Sequence, residues 1–330
     1  MGTITASSGA RAAPVTAAIA IDRISFRRPS SQASPVAYPG VDRKEKRQDR
    51  GDGKCYICRR KAAGREEGMA RIEVAGGGVE ITTAGEGPDL VLLHSLLIDR
   101  TAFDGVIPNL TQKRRVHLVA LPGFDGSSPA GPTVEDYADR IADALPALRL
   151  SANSAVLGNG FGGFVAIALA ARHGTLFDKL LLVDTAARFP AAARSAFAVM
   201  AEKVAAGGMG AVADIAARRI FHDAYLAAHP EATVERRTVL LRFNPETFIS
   251  ACRALEQVDL SAQLARIANP TLVLVGEFDA ATPVDLAREL AEGISGAKFL
   301  LLRGCGHCPP LEQPQAFLAA ISGFLDPTAG

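Results

Sequence analysis

The chain has 330 residues, 48% of them hydrophobic and 22% charged, with a formal net charge of +1. This composition belongs to a globular protein, and no uninterrupted apolar run reaches the ~18 residues of a membrane span. Five cysteines (Cys55, Cys58, Cys252, Cys305 and Cys308) are too few and too scattered for a disulfide framework, and their odd number fits a reducing compartment.

The near-neutral charge conceals two different polymers. Residues 1–68 carry 14 Lys and Arg against 7 Asp and Glu, whereas the remainder carries 22 against 28. The first segment has no sustained hydrophobic period; it holds Ser/Pro clusters ("RRPSSQASPVAYPG") and a charge run ("DRKEKRQDRGDGK"). Such a stretch buries too little apolar surface to offset its ordering entropy, so residues 1–68 are expected to be a disordered extension. Its first forty residues, Arg-bearing and nearly free of acids, also have the composition of an organelle transit peptide. The simpler expectation is that Met69 is the natural start or that the upstream part is a dispensable leader, because ordered pattern begins at once from Met69. Cys55 and Cys58, like Cys305 and Cys308, have zinc-ligand spacing. One pair lies in the leader and the other flanks a histidine with a different role, so no metal is expected.

From Met69 onward, "RIEVA" and "VEITTA" around Gly76–Gly78 predict a hairpin. Continuously apolar runs follow at 90–94, 116–121, 154–158, 179–184, 271–276 and 298–302. Runs of this kind suit strands covered on both faces of a parallel sheet. Helical patterns fall between them at 134–148, 161–173, 283–294 and 312–325. The alternation predicts an α/β fold with a doubly wound, mostly parallel sheet over residues 69–330. One interval breaks the rhythm. Thr185 to Asn269 shows helical pattern and no strand, which predicts a helical cap, about 186–268, inserted between two sheet strands. Ligands bind at the carboxyl ends of strands in such sheets, so a cap there shapes the substrate pocket.

Four strand-end positions then line up in chain order. The run ending in "LLHS" leads into the loop Leu96–Arg100. "GNGFGG" (158–163) is a strand-to-helix turn. "GEFD" places Asp279 just past one strand, and "GCGHCPPLEQP" places His307 just past the last. A carboxylate and an imidazole on adjacent strand-end loops form a pair in which the acid orients the ring and the ring exchanges a proton with a reacting group. Asp279 could instead cap the next helix, but Thr282 followed by Pro283 suits that role better. Asp184, ending its own strand, is a fallback acid.

This pattern resembles the α/β-hydrolase family over roughly residues 70–326, and is most similar to the branch of enol-lactonases and small esterases. "PTLVLVGEFDAATP" and "GCGHCPPLEQPQAFLAAISGFL" are its most specific parts. The resemblance implies the order nucleophile, acid, histidine at Gly160, Asp279 and His307. It also implies oxyanion donors in the backbone N–H of Phe161 and that of Leu96. Two departures stand out. The family's turn reads G-x-S-x-G, whereas here Gly160 occupies the apex and carries no nucleophile. Ser95 stands where the family usually has glycine.

Four readings of Gly160 follow. The His307–Asp279 pair activates a water in the vacated position; the site performs proton-transfer or lyase chemistry on a carbonyl compound; the fold binds a ligand without reaction; or another side chain supplies the nucleophile, Ser95 being best placed. A dinucleotide reading of the glycines fails on spacing and leaves Asp279 and His307 unexplained. The arginines of the insertion read as a solvated face, with Arg242 or Arg253 as a candidate for a substrate carboxylate. The remaining histidines, His117, His173, His222 and His229, show no partner signal. The expectation is a cytoplasmic hydrolase of a small ester, lactone or related carbonyl compound. It has no organic cofactor and no nucleic-acid or membrane partner, and its oligomeric state is left open.

Overall fold

The computed structural model describes residues 56–62 and 65–326. Among the described residues, nine strands make one sheet: β1 (Tyr56–Ala62), β2 (Arg65–Val74), β3 (Gly77–Ala84), β4 (Asp89–Leu93), β5 (Arg115–Val119), β6 (Ala155–Asn159), β7 (Lys179–Val183), β8 (Thr271–Gly276) and β9 (Lys298–Leu302). The strand order is β1-β2-β3-β5-β4-β6-β7-β8-β9. The first three strands pair antiparallel, as do β3 and β5, and every pairing from β5–β4 to β8–β9 is parallel.

The central parallel strands are mainly apolar because both of their faces are covered. Every residue of β4, β6 and β8 is buried. Each fully buried Leu or Val contributes about 1.5–3 kcal/mol relative to exposure, so these short strands carry much of the stability.

The helices are α1 (Ile107–Leu110), α2 (Val134–Leu148), α3 (Phe161–His173), α4 (Ala191–Gly207), α5 (Ala213–Arg219), α6 (Asp223–Ala228), α7 (Pro230–Leu240), α8 (Pro245–Gln257), α9 (Val284–Gly293), α10 (Pro309–Glu312) and α11 (Pro314–Leu325). A capping box starts α2, with the Thr133 hydroxyl accepting from Asp136 N–H and the Asp136 carboxylate accepting from Thr133 N–H. α3 has no such cap. Ten of its residues are buried, and it begins directly after Gly160. α4 to α8 form the helical insertion between β7 and β8, within the interval expected to lack strands.

The ordered part begins upstream of the expected boundary at Met69. β1 and the start of β2 fall in the stretch expected to be disordered, and β1 pairs with β2 from Tyr56↔Arg71 to Ala62↔Arg65. Main-chain pairing onto an existing hairpin edge needs no apolar period, which is why a search for periodicity passes over it. The expectation of disorder for residues 1–55 lies outside the described residues, as does Cys55. No helix among the described residues is long and apolar enough to cross a membrane.

Candidate active site

β4, β6, β8 and β9 all run parallel, so the loops after them open on one edge of the sheet. Ser95, Gly160, Asp279 and His307 therefore meet there, although up to 212 positions separate them in the chain. Asp279 and His307 are both almost fully buried. His307 Nδ1 lies 3.0 Å from each Asp279 carboxylate oxygen. The ionised carboxylate only accepts, so Nδ1 carries the proton and Nε2 keeps its lone pair. That lone pair faces Ser95 Oγ at 3.4 Å.

Asp279 is anchored from its own loop. Oδ1 accepts from the N–H groups of Ala281 and Thr282 at 2.8 and 3.0 Å, and Oδ2 accepts from the Thr282 hydroxyl at 2.6 Å. Thr282 thus serves the carboxylate. The residue at the start of α9 is Pro283, which has no side-chain oxygen, so the expected Thr282 cap does not form. Burial works against the charged Asp279, but the facing His307 and the Thr282 bonds outweigh it and hold the carboxyl below its ordinary value. Asp184, the fallback acid, sits fully buried with φ 47°. Burial and the neighbouring Asp279 charge push its carboxyl well above the usual range, which suits it poorly to orient an imidazolium.

His307 is held by its backbone as well. Its N–H donates to Ile220 O of the insertion at 3.1 Å, and its carbonyl accepts from Asn159 Nδ2 at 3.2 Å. The buried Glu312 braces the same loop, accepting from Gly306 N–H at 2.6 Å and pairing with the His222 imidazole of the insertion. Sequence reading missed Asn159, His222 and Glu312 as supports, because each acts on a backbone group or a side chain remote in the chain. The four histidines without a partner signal in the sequence all have acidic partners: His117 with Asp89, His173 with Asp139, His222 with Glu312 and His229 with Glu231.

Gly160 has φ 53° and ψ −116°, a conformation that costs a residue with a Cβ about 1–3 kcal/mol. Its N–H donates to Val183 O at 3.0 Å and its carbonyl accepts from the Thr185 hydroxyl at 3.0 Å, so the bend persists without a side chain at its tip. The space beside that tip is filled. A Cβ placed on Gly160 would collide with Ser95 Oγ and lie 2.8 Å from Ser95 Cβ and 2.9 Å from His307 Nε2.

Phe161 and Leu96, the two residues expected to supply backbone donors, both line the space beside this point. Phe161 is the first residue of α3, where an N–H has no intrahelical acceptor and the helix dipole favours negative charge. The Ser95 carbonyl accepts from His94 Nδ1 at 2.9 Å, and His94 Nε2 accepts from Leu121 N–H at 3.1 Å. Burial lowers the His94 pKa, which keeps this ring neutral as both bonds require. Across the trans peptide, fixing the Ser95 carbonyl toward His94 aims the Leu96 N–H the opposite way.

A cavity of about 60 Å³ adjoins Ser95, Leu96, Gly160, Phe161 and His307. Phe164, Phe189, Phe197, Met200 and Leu255 make it mainly apolar, and Arg219 of α5 supplies a cation. Arg242 and Arg253, the arginines expected for a carboxylate, do not line it. Arg253 instead lies near Glu256 on the exposed face of α8.

Residues 90–320 match the model of the alpha/beta hydrolase family. The chain is similar to the pimeloyl-[acyl-carrier protein] methyl ester esterase of Aeromonas hydrophila, with 30% identity over 255 residues covering 75% of this chain and 99% of that one. To the enzyme of the same name from Chromobacterium violaceum it is 31% identical over 258 residues, covering 76% and 98%. Among solved structures, the enol-lactonase from Burkholderia xenovorans LB400 superposes with a TM-score of 0.71 at 29% identity, covering 76% of this chain and 98% of that one. A thermophilic esterase from Thermogutta terrifontis superposes with a TM-score of 0.71 at 30% identity, covering 78% and 97%.

Proposed function

The chain belongs to the α/β-hydrolase family and is a hydrolase, and from that premise we propose that it cleaves small esters or lactones at the cavity beside His307. One observation carries this reading: the imidazole is backed by a carboxylate on one nitrogen and open to the cavity on the other. His307 acts as general base and then general acid, and Asp279 orients it and stabilises its charged form. The N–H groups of Phe161 and Leu96 receive the charge that develops on the carbonyl oxygen. The free space suits a short acyl or alkoxy group. Arg219, in the cavity wall, favours a substrate with an acidic group. The printed names of the relatives, a methyl ester esterase and an enol-lactonase, support an ester-type carbonyl as the reacting group.

The test is a panel of short-chain chromogenic esters and simple lactones, assayed with the native chain and with His307→Ala. Turnover of at least one class is expected, with a loss of roughly 10²–10⁴-fold in the variant. If no ester or lactone is turned over, or if the variant equals the native chain, the reading fails.

A further inference from the structure

We propose that Ser95 is the nucleophile, moved from the apex of the strand-to-helix turn to the facing loop. This rests on the hydrolytic reading above and adds the identity of the attacking atom. The Ser95 side chain and any side chain at position 160 exclude each other, because a Cβ on Gly160 would collide with Ser95 Oγ. Glycine at 160 and serine at 95 are therefore a matched pair: one residue vacates the space and the other puts a hydroxyl into it. The hydroxyl arrives beside the same imidazole nitrogen, at 3.4 Å, and borders the same cavity. Ser95 is also firmly seated, since its carbonyl is held by His94 and the residue has a relative exposure of only 3%.

The chemistry balances with groups already present. The Ser95 O–H proton passes to His307 Nε2 as Oγ bonds to the substrate carbonyl carbon, and the carbonyl π pair moves to its oxygen between the Leu96 and Phe161 N–H groups. The pair returns, the bond to the alcohol oxygen breaks, and His307 gives that oxygen the proton. Water then attacks the acylated Ser95 with the same proton movements, releasing the acid and restoring the hydroxyl. Moving the nucleophile preserves both donors, because Leu96 now follows the nucleophile and Phe161 still follows the bend.

The full-length chain is treated with a fluorophosphonate and digested, and the adduct is mapped by mass spectrometry. In parallel, ester turnover is measured for Ser95→Ala, Gly160→Ser and the double exchange Ser95→Gly/Gly160→Ser. The expected results are an adduct on Ser95 and a fall of roughly 10³-fold or more in Ser95→Ala. The single Gly160→Ser variant should lose activity, and the double exchange should recover a substantial part of it. Turnover in Ser95→Ala within about twofold of the native chain, or an adduct on another residue, overturns the assignment and leaves the hydrolytic reading standing with another nucleophile. If the native chain turns over no ester, that reading falls, and labelling still decides whether Ser95 is an activated hydroxyl.

Discussion

Two buried groupings of histidine, aspartate and hydroxyl sit at opposite edges of the sheet, and only one of them borders the described cavity. At the amino end of β4, Asp89 Oδ1 accepts from Arg115 Nε and His117 Nε2 at 2.5 and 2.7 Å, while Oδ2 accepts from Ser151 N–H and its hydroxyl at 2.6 and 2.7 Å. The other nitrogen of His117 pairs with the Thr83 hydroxyl at 2.9 Å. Burial lowers the His117 pKa, so the ring is neutral, donates to Asp89 and accepts from Thr83. At the carboxyl end of the same strands His307 has the reverse tautomer, and its unprotonated nitrogen faces a hydroxyl beside a cavity. A His–Asp pair is therefore no sign of chemistry in itself. A closed ring of bonds is a brace, and a free lone pair beside a space is a reactive group.

The comparison breaks most sharply under truncation. Ser95→Ala should abolish most ester turnover while leaving the melting temperature within a few degrees, because it leaves no buried charge unpaired. Asp89→Ala should do the reverse. Removing one partner from a buried charge network costs about 3–5 kcal/mol, which calorimetry would register as a drop of roughly 6–20 °C, and the turnover of the remaining folded protein should be little changed. A comparable loss of turnover in Asp89→Ala at a temperature where it is folded would mean that the two groupings are coupled.

Asp279→Asn should lower kcat by roughly 10²–10⁴-fold, because an amide can donate to Nδ1 and so present the wrong tautomer to Ser95. Steady-state kinetics at saturating ester would measure it.

The next effect is one of pH. The Asp184 carboxyl binds its proton more tightly in the fold than in the unfolded chain. Above the ordinary carboxylate pKa the unfolded state loses that proton while the fold keeps it, so this group's contribution to stability falls as pH rises. Asp184→Asn has no proton to hold, and asparagine tolerates the positive φ. Its melting temperature relative to the native chain should therefore rise between about pH 4 and pH 7. A difference that is flat with pH would show that Asp184 ionises normally.

The smallest expected effect is on the thiols. Burial pushes the Cys252 thiol up to about 12 and raises Cys305 and Cys308 further. Iodoacetamide at pH 8 should leave these three unmodified in the native state, and peptide mapping would show it.

The strands from β3 onward, the run of helical pattern between β7 and β8, and the strand-end placement of Asp279 and His307 were legible in the chain, because each depends on neighbours a few positions away. That the tip of the strand-to-helix bend, Gly160, carries no side chain was legible too. The supports were not. His222 and Glu312 are 90 positions apart, and Asn159 reaches the carbonyl of His307 across 148. Arg219 lines the cavity rather than Arg242 or Arg253, because which side of each cap segment faces inward is set by contacts remote in the chain. β1 went unseen because edge pairing is a main-chain property.

What the amino-acid order determined alone is local: apolar runs long enough for covered strands, helical periods between them, and glycines where the backbone must bend or approach closely. From these follow the sheet, the insertion and the edge on which the loops collect. Only the tertiary structure decided that the hydroxyl of Ser95 stands where a side chain on Gly160 would be, 65 residues further along. Such a contact depends on how two loops fall across β4 and β6, a distance in space that no spacing along the chain encodes.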